Sequence, residues 1–325
     1  MTFSLVTGGA GFVGRRLVRT LKDRGERVRA LDLAPLEGED GVQGSVADPD
    51  AAARAVEGVD VVFHLAGHAQ LWSRDPGLFD KANRAGTETM LAAAKRAGVK
   101  RFVHCSSLTT LVGRRAPRAP STVDETTRLE PADMLGPYPR SKLRAERAVE
   151  QAVIDGLDAV IVIPTEPLGA GDKSLTPPTR MILDFLRGAT PAYIDCTLNF
   201  VPVGDLAEGL IAARERGRRG ERYILGGENV SMQTLLDALE RVSGKPTPKT
   251  KLPYQVALAA GFVDTAFSYA TGRSPKAPLT GVRLAGRPVS FSSEKAAREL
   301  GWRAGGFEPA LEEAYGWMKA EGLLG

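Results

Sequence analysis

The sequence predicts a doubly wound α/β fold, a parallel sheet covered on both faces by helices, with a smaller, interleaved second α/β unit. Three observations carry that prediction. Short β-branched apolar runs alternate with stretches of helical spacing through the first half of the chain. A glycine cluster sits at the first strand-to-helix junction, and the alternation breaks after Pro164 into a run rich in Gly, Pro and Thr. Strand–helix–strand alternation requires parallel pairing and right-handed crossovers. At 325 residues the chain exceeds the size at which one core stops growing, which is why a second unit is expected.

The elements follow in order. "FSLVT" (3–7), "RVRALDL" (27–33), "VDVVFHLAG" (59–67), "RFVHCSS" (101–107) and "DAVIVIP" (158–164) read as strands. Between them, 12–24, 77–97 and 138–154 carry apolar residues at helical spacing. "TEPLGAGDKSLTPPT" (165–179) marks a boundary. "NFVPVGDLAEGLIAAR" (199–214) reads as a strand and helix returning to the first unit, whereas "ERYILGG" and "SMQTLLDALERVSG" open further elements of the smaller one. The expected division is therefore 1–164 plus about 199–219 for the first domain, and about 165–198 plus 220–325 for the second.

Composition excludes several classes. Hydrophobic content of 43% with 25% charged residues suits a globular enzyme, and no apolar run approaches the ~20 residues of a membrane span. "MTFSLVTGG" enters a strand directly, without signal-peptide features, so a cytoplasmic location is expected. Cys105 and Cys196 form no metal or redox spacing and read as reduced core residues. His64, His68 and His104 show no ligand spacing, so structural packing and no metal site are expected. The net charge of +4 comes from scattered arginines without an aromatic-interleaved basic stripe, which argues against nucleic acid. "GRRAPRAP" (113–120) and "RERGRRG" (214–220) read as solvated loops or helix ends.

"TGGAGFVG" places Gly8, Gly11 and Gly14 after the first strand and at the start of the first helix, with Phe12 and Val13 on its first turn. Glycines there let backbone N–H groups face a pyrophosphate at the positive helix end. The spacing is a three-residue variant of G-x-G-x-x-G, and the strand–loop–helix context makes it a dinucleotide loop. Asp32 ends the second strand, where a carboxylate accepts hydrogen bonds from both adenosine ribose hydroxyls and repels a 2′-phosphate; NAD is therefore expected rather than NADP. Asp48, with Val46 beside it, is a candidate for the adenine end, and an N-cap role for Asp48 fits as well.

In "GPYPRSK" (136–142) Tyr138 and Lys142 stand four apart, hence on one helix face. A cation beside a phenol lowers its pKa, so Tyr138 becomes an acid/base for an alcohol or ketone, with Lys142 tuning it and holding the nicotinamide ribose. "HCSS" ends a strand at the sheet's carboxyl edge, where Ser107 can bond the reacting oxygen; Ser106, Thr109 and Thr110 are rival hydroxyls.

These motifs together resemble the extended short-chain dehydrogenase/reductases, the NAD-dependent epimerase/dehydratase family, nearly end to end. "TGGAGFVG" matches the family's cofactor loop, "HLAG" (64–67) its motif beside the nicotinamide, and "NRAGT" (83–87) its Asn-x-x-Gly-Thr helix, while "HCSS", "YPRSK" and "VGDLA" follow in order. The resemblance implies cofactor contacts from Leu65, Ala66, Gly67, Asn83 and Pro164, and a homodimer formed through the helix that carries Tyr138. Within the family, "LWSRDP", "DMLGPYPRSK" and "FSSEKAARELGW" look most like hopanoid-associated sugar epimerases, with dihydroflavonol reductase-like and 3β-hydroxysteroid dehydrogenase-like enzymes as relatives. Two departures stand out. Ile163–Pro164 replaces the Arg-Pro of many nucleotide-sugar members, and Asp32 stands where similar enzymes often carry a basic or neutral residue and use NADP.

For the substrate, Arg180, Arg187, Arg283 and Arg287 are candidate pyrophosphate ligands. Against them, the apolar stretch 253–270 and Trp72 suit a greasy cyclic ligand. The expected function is hydride transfer between NAD and a secondary alcohol or ketone of a sterol-, triterpenoid- or flavonoid-like substrate. Sugar epimerisation or dehydration is the alternative, and non-catalytic dinucleotide sensing a further one.

Overall fold

A computed structural model of the chain describes residues 1–36, 40–115 and 119–324. The expected loop at 113–120 therefore lies outside the described residues at 116–118. The chain opens with β1 (Phe3–Thr7), wholly buried, and α1 (Phe12–Asp23), whose Phe12, Leu17, Val18 and Leu21 face inward. There follow β2 (Arg27–Asp32), β3 (Asp40–Gln43), α2 (Pro49–Val56) and β4 (Val61–His64). The helix expected over 77–97 is α3 (Gly77–Phe79), a π-helical stretch Asp80–Ala85 and α4 (Gly86–Arg96). Next come β5 (Arg101–Cys105), the short β6 (Ser121–Val123), α5 (Pro137–Ile154) and β7 (Ala159–Pro164).

Seven strands form one sheet in the order β11-β7-β5-β4-β1-β2-β3, where β11 is Arg222–Leu225. Every pairing within it is parallel. The chain runs outward from β1 to β3, then returns to lay β4 on the other side of β1. That reversal opens a crevice at the carboxyl ends of β1 and β4, the place where doubly wound sheets bind ligands. One face is sealed by Ala51, Ala55, Met90, Ala94 and Val149 from α2, α4 and α5. On the other face Leu17 and Leu21 meet Leu206, Leu210 and Ile211 of α7 (Val203–Arg216).

The smaller unit gathers β8 (Glu166–Leu168), α6 (Pro177–Leu186), β9 (Ala192–Ile194), β10 (Thr197–Pro202), β12 (Glu228–Ser231), α8 (Met232–Ser243) and β13 (Thr250–Leu252). It ends with α9 (Tyr254–Thr271), α10 (Leu279–Ala285), β14 (Val289–Phe291) and α11 (Phe307–Ala320). Its three-stranded sheet, β12-β10-β8, shares a core with α6, α8 and α11 through Leu183, Phe200, Leu235 and Leu311.

Two expectations are corrected here. The strand in "ERYILGG", assigned to the smaller unit, is β11 and extends the large sheet beside β7. Its residues Tyr223, Ile224 and Leu225 are fully buried, and α7 carries the chain across the sheet face to reach it. Conversely, β10, expected to return to the first unit with its helix, pairs with β8 and β12. Only α7 makes the return. The polar β3, exposed along most of its length, carries no apolar run that sequence patterning could detect.

Candidate active site

The crevice is built from its glycines outward. Gly8 has φ +72, and a side chain there would meet Ala66 N at 2.9 Å across the crevice. At Gly14 a Cβ would lie 1.9 Å from the Gly8 carbonyl oxygen, so no other residue fits while the loop keeps this shape. Gly11 is the N-cap of α1, and no side chain caps the first-turn amides of Phe12, Val13 and Gly14. Four N–H groups at a helix start lack intrahelical partners, and here they meet a loop without obstructing side chains. The Asp32 carboxylate, at the end of β2, accepts the N–H groups of Ala10 at 3.0 Å and Ala34 at 3.0 Å. That fixes a carboxylate with spare lone pairs beside the glycine turn. These residues fit a dinucleotide: the loop is bare, the helix end is uncapped, and an acid stands where a ribose would lie. Asp48 is the N-cap of α2, accepting Asp50 N–H at 3.0 Å, and the buried Val46 packs under Gly86.

On the opposite wall, Leu65 N–H bonds the Thr7 carbonyl at 3.2 Å and Ala66 N–H bonds Thr7 Oγ1 at 3.1 Å. Thr7 Oγ1 also lies 2.9 Å from His64 Nδ1. Thr87 Oγ1 donates to the Asn83 carbonyl at 2.6 Å, so it accepts from His64 Nε2 at 3.0 Å. Nε2 therefore carries a proton, and because burial pushes His64 down to about 3 the ring is neutral, Nδ1 is bare and Thr7 Oγ1 donates to it. His64 and His104 stack at 5.6 Å, as structural packing predicts, and burial also holds His104 neutral. Asn83, on the π-helical stretch, accepts His68 N–H at 2.8 Å and donates to Ser141 Oγ at 2.8 Å. Ser141 in turn donates to the Tyr138 carbonyl at 2.8 Å. Asn83 thus braces the 67–68 turn against α5, and a Cβ on Gly67 would strike it at 2.6 Å.

Tyr138 and Lys142 lie on the first turns of α5, both buried. Lys142 Nζ donates to the Cys105 carbonyl at 2.6 Å, which pins it to the end of β5. Ser107 Oγ accepts from Thr109 N–H at 3.3 Å and from Thr109 Oγ1 at 3.1 Å. With its oxygen so engaged, Ser107 gives its proton outward, and it bonds the Tyr138 phenol, favouring the phenolate. Thr110 Oγ1 is tied to the Ser107 carbonyl at 2.9 Å, and Ser106 Oγ donates to Glu146. The rival hydroxyls are therefore occupied. Burial dominates the phenol and pushes it up to about 12, outweighing the lowering by the Ser107 hydrogen bond; the lowering expected from the Lys142 ammonium is not among the causes. A phenol protonated through neutral pH and bonded by a serine, with a buried lysine one turn along its helix, can give a proton to an alkoxide or, once ionised, take one from an alcohol.

Pro164 closes β7 at the same edge, and the thiol of Cys105, pushed up by burial, stays protonated there. Cys196, pushed up to about 12, is likewise no thiolate. Among the described residues no cluster of His, Cys, Asp or Glu could hold a metal. Of the candidate cations, Arg180 is exposed on α6, Arg187 Nε bonds the Leu323 carbonyl at 2.7 Å, Arg283 is half-buried on α10, and Arg287 Nε is buried without a partner. Trp72 packs against Tyr269 with ring centroids 5.7 Å apart and the rings tilted at 52°, joining the 69–74 loop to α9.

Sequence reasoning missed two acids. Glu146 lies four residues beyond Lys142 and pairs with Arg222 of β11 at 3.2 Å, both ends buried. Its place on the Tyr138–Lys142 helix face was the available signal. Glu166, two residues after Pro164, has Oε2 buried without a partner, and burial pushes its carboxyl up to about 8. No spacing announces it.

A family model described as the NAD dependent epimerase/dehydratase family matches residues 4–226. Over 98% of its length the chain is 36% identical to a Synechocystis protein that carries the name dihydroflavonol 4-reductase, of which it covers 95%. It is 30% identical to sterol demethylase protein B of Methylococcus capsulatus, with 99% of each chain covered. Among solved structures it resembles that of gox2253, with a TM-score of 0.85 and 36% identity over 99% of both chains.

Proposed function

The chain belongs to the NAD dependent epimerase/dehydratase family, and from that footing we propose that it transfers hydride between NAD and a secondary alcohol or ketone on a hydrophobic cyclic substrate. The observation that carries the reaction is a buried Tyr138 phenol bonded by Ser107, with Lys142 one turn along the same helix and bonded to the Cys105 carbonyl at the end of β5. Two features support the substrate class. Relatives of similar length bear the names of flavonoid and sterol enzymes. Trp72 and Tyr269 offer an aromatic wall.

The uncapped start of α1 would receive the pyrophosphate, Asp32 the adenosine ribose, and Lys142 the nicotinamide ribose. When bound, the oxidised nicotinamide supplies a hydride acceptor and a positive charge. In the reducing direction Tyr138 gives its phenolic proton to the forming alkoxide while Ser107 donates to the same oxygen. In the oxidising direction the phenolate takes the alcohol's proton, and Lys142 offsets its charge. Since burial favours the neutral phenol, the oxidation rate climbs as pH rises through the alkaline range, whereas reduction is fully supplied at neutral pH.

The test offers purified protein and NAD to hydroxysteroids and triterpenoid alcohols in one set, nucleotide sugars in another, following NADH by absorbance. NADH with the lipid alcohols, reduced ~10²–10⁴-fold in Tyr138→Phe, is expected. An epimerised sugar without net NADH would mean that hydride returns to its substrate. A Tyr138→Phe variant with full biological activity would point to dinucleotide sensing without catalysis.

A further inference from the structure

Helix α9 is packed inside out. Its buried line consists of the small residues Ala257, Gly261 and Ser268, while Val256, Phe262, Val263, Phe267 and Tyr269 are 44–65% exposed. Five of the nine large hydrophobics exposed among the described residues stand on this one helix. Positions 256, 260, 263, 267 and 270 fall on a single stripe, and every one is apolar. The inward face is closely seated: a Cβ on Gly261 would meet Val282 at 3.0 Å. Asp264, the helix's one ionisable acid, is turned inward to accept Ala277 N–H at 2.8 Å, and Thr265 accepts Leu279 N–H at 3.0 Å. The large side chains therefore face out by construction, since the helix is anchored through its small ones.

Charge identifies what the stripe meets. Residues 245–287 hold seven Lys and Arg against the single acid Asp264, whereas the whole chain has 43 against 39. The rest of the molecule thus carries 36 bases and 38 acids, so the positive excess belongs to the segment that contains this helix. Lys249 and Lys251, before α9, are paired with Glu240 and Asp195. Arg273 and Lys276 follow its C-terminus, and the Arg74 guanidinium lies against Gly272 there. A second copy docked on the same stripe would bring these cations against one another. An apolar stripe with Phe and Val at its centre, cations at its ends and no outward acid suits an anionic bilayer surface.

We propose that α9 docks the protein on an anionic lipid surface, with Val263 and Phe267 entering the acyl boundary and Arg273 and Lys276 among the headgroups. Docking lies flat, because no helix among the described residues is long and apolar enough to cross a membrane. It deepens the reading of a lipophilic substrate by bringing the molecule to where such substrates dissolve, and its test does not depend on turnover.

The experiment is co-sedimentation of the protein with vesicles of phosphatidylcholine alone and of phosphatidylcholine mixed in roughly equal parts with phosphatidylglycerol. Binding is expected to the anionic vesicles only, to weaken with salt, and to fall about tenfold or more in Val263→Glu/Phe267→Glu. Arg273→Gln and Lys276→Gln each weaken it roughly fivefold. All positions are exposed, so unchanged circular dichroism and melting temperature separate lost docking from lost folding. Equal sedimentation with both vesicle types, or with neither, overturns the proposal. So does a halved molecular mass in Val263→Glu/Phe267→Glu on analytical ultracentrifugation, which would make the stripe a contact between copies.

Discussion

Glu166 follows Pro164 by two positions, and its neutral form is the one the fold favours. Its carboxyl is raised from 4.5 to about 8, so in the unfolded chain it ionises freely while the folded chain resists. The sign follows: stability is greatest below the unfolded value and is lost as pH rises through the folded one. Glu166→Gln mimics the neutral acid. Its melting temperature should match the parent's near pH 4.5 and exceed it near pH 8; a variant less stable near pH 8 would reveal an ionic partner for the carboxylate. Ser107, Tyr138 and Lys142 were legible as letters because each stands at a strand end or on one helix face. Glu166 was not, since only the packing of β8 against β10 seals its Oε2 from water.

At the scale of elements, α5 and β11 are joined by the buried Glu146–Arg222 pair. Arg222 also donates to the Thr127 carbonyl at 2.9 Å, and Ser106 donates to Glu146, so the pair ties the end of β5 to the sheet edge. Removing one partner strands a buried charge. Glu146→Ala should cost about 3–5 kcal/mol in urea unfolding, whereas Glu146→Leu/Arg222→Leu recovers most of the loss. Equal losses in the single and double variants would show that packing, not charge, was removed. The misplacement of β11 has its cause here as well. "RYIL" reads as a strand in either unit, and what assigns it to the large sheet is register beside β7 and this ion pair, both long-range. The π-helical stretch within 77–97 was invisible for a similar reason: apolar spacing shows a helix but not one extra residue in a turn.

For the whole molecule, the outer surfaces of α4 and α5 form a groove floored by Leu91, Ala148 and Ala152 and bordered by Arg84, Glu88 and Arg144. Small apolar residues ringed by both signs of charge suit a two-fold contact, in which each copy's bases meet the other's acids. The expectation is a dimer in sedimentation equilibrium that becomes a monomer in Ala148→Glu/Ala152→Glu. A protein monomeric at every concentration tested would reject it. That dimer leaves the stripe on α9 as a separate surface with its own occupant, so the two substitutions should act independently on mass and on vesicle binding.

By itself the sequence determined the parallel α/β class, the glycine loop with its acid at Asp32, and the serine, tyrosine and lysine of the candidate site. These depend on local periodicity and on spacing within one turn or one strand end, which neighbouring residues dictate. Only the tertiary structure decided that β11 joins the large sheet, that burial raises the Tyr138 phenol, that Glu146 has a buried partner, and that α9 turns its large side chains outward. Each of these is a relation between residues far apart in the chain. Burial, and with it charge state, exists only once those distant surfaces have met.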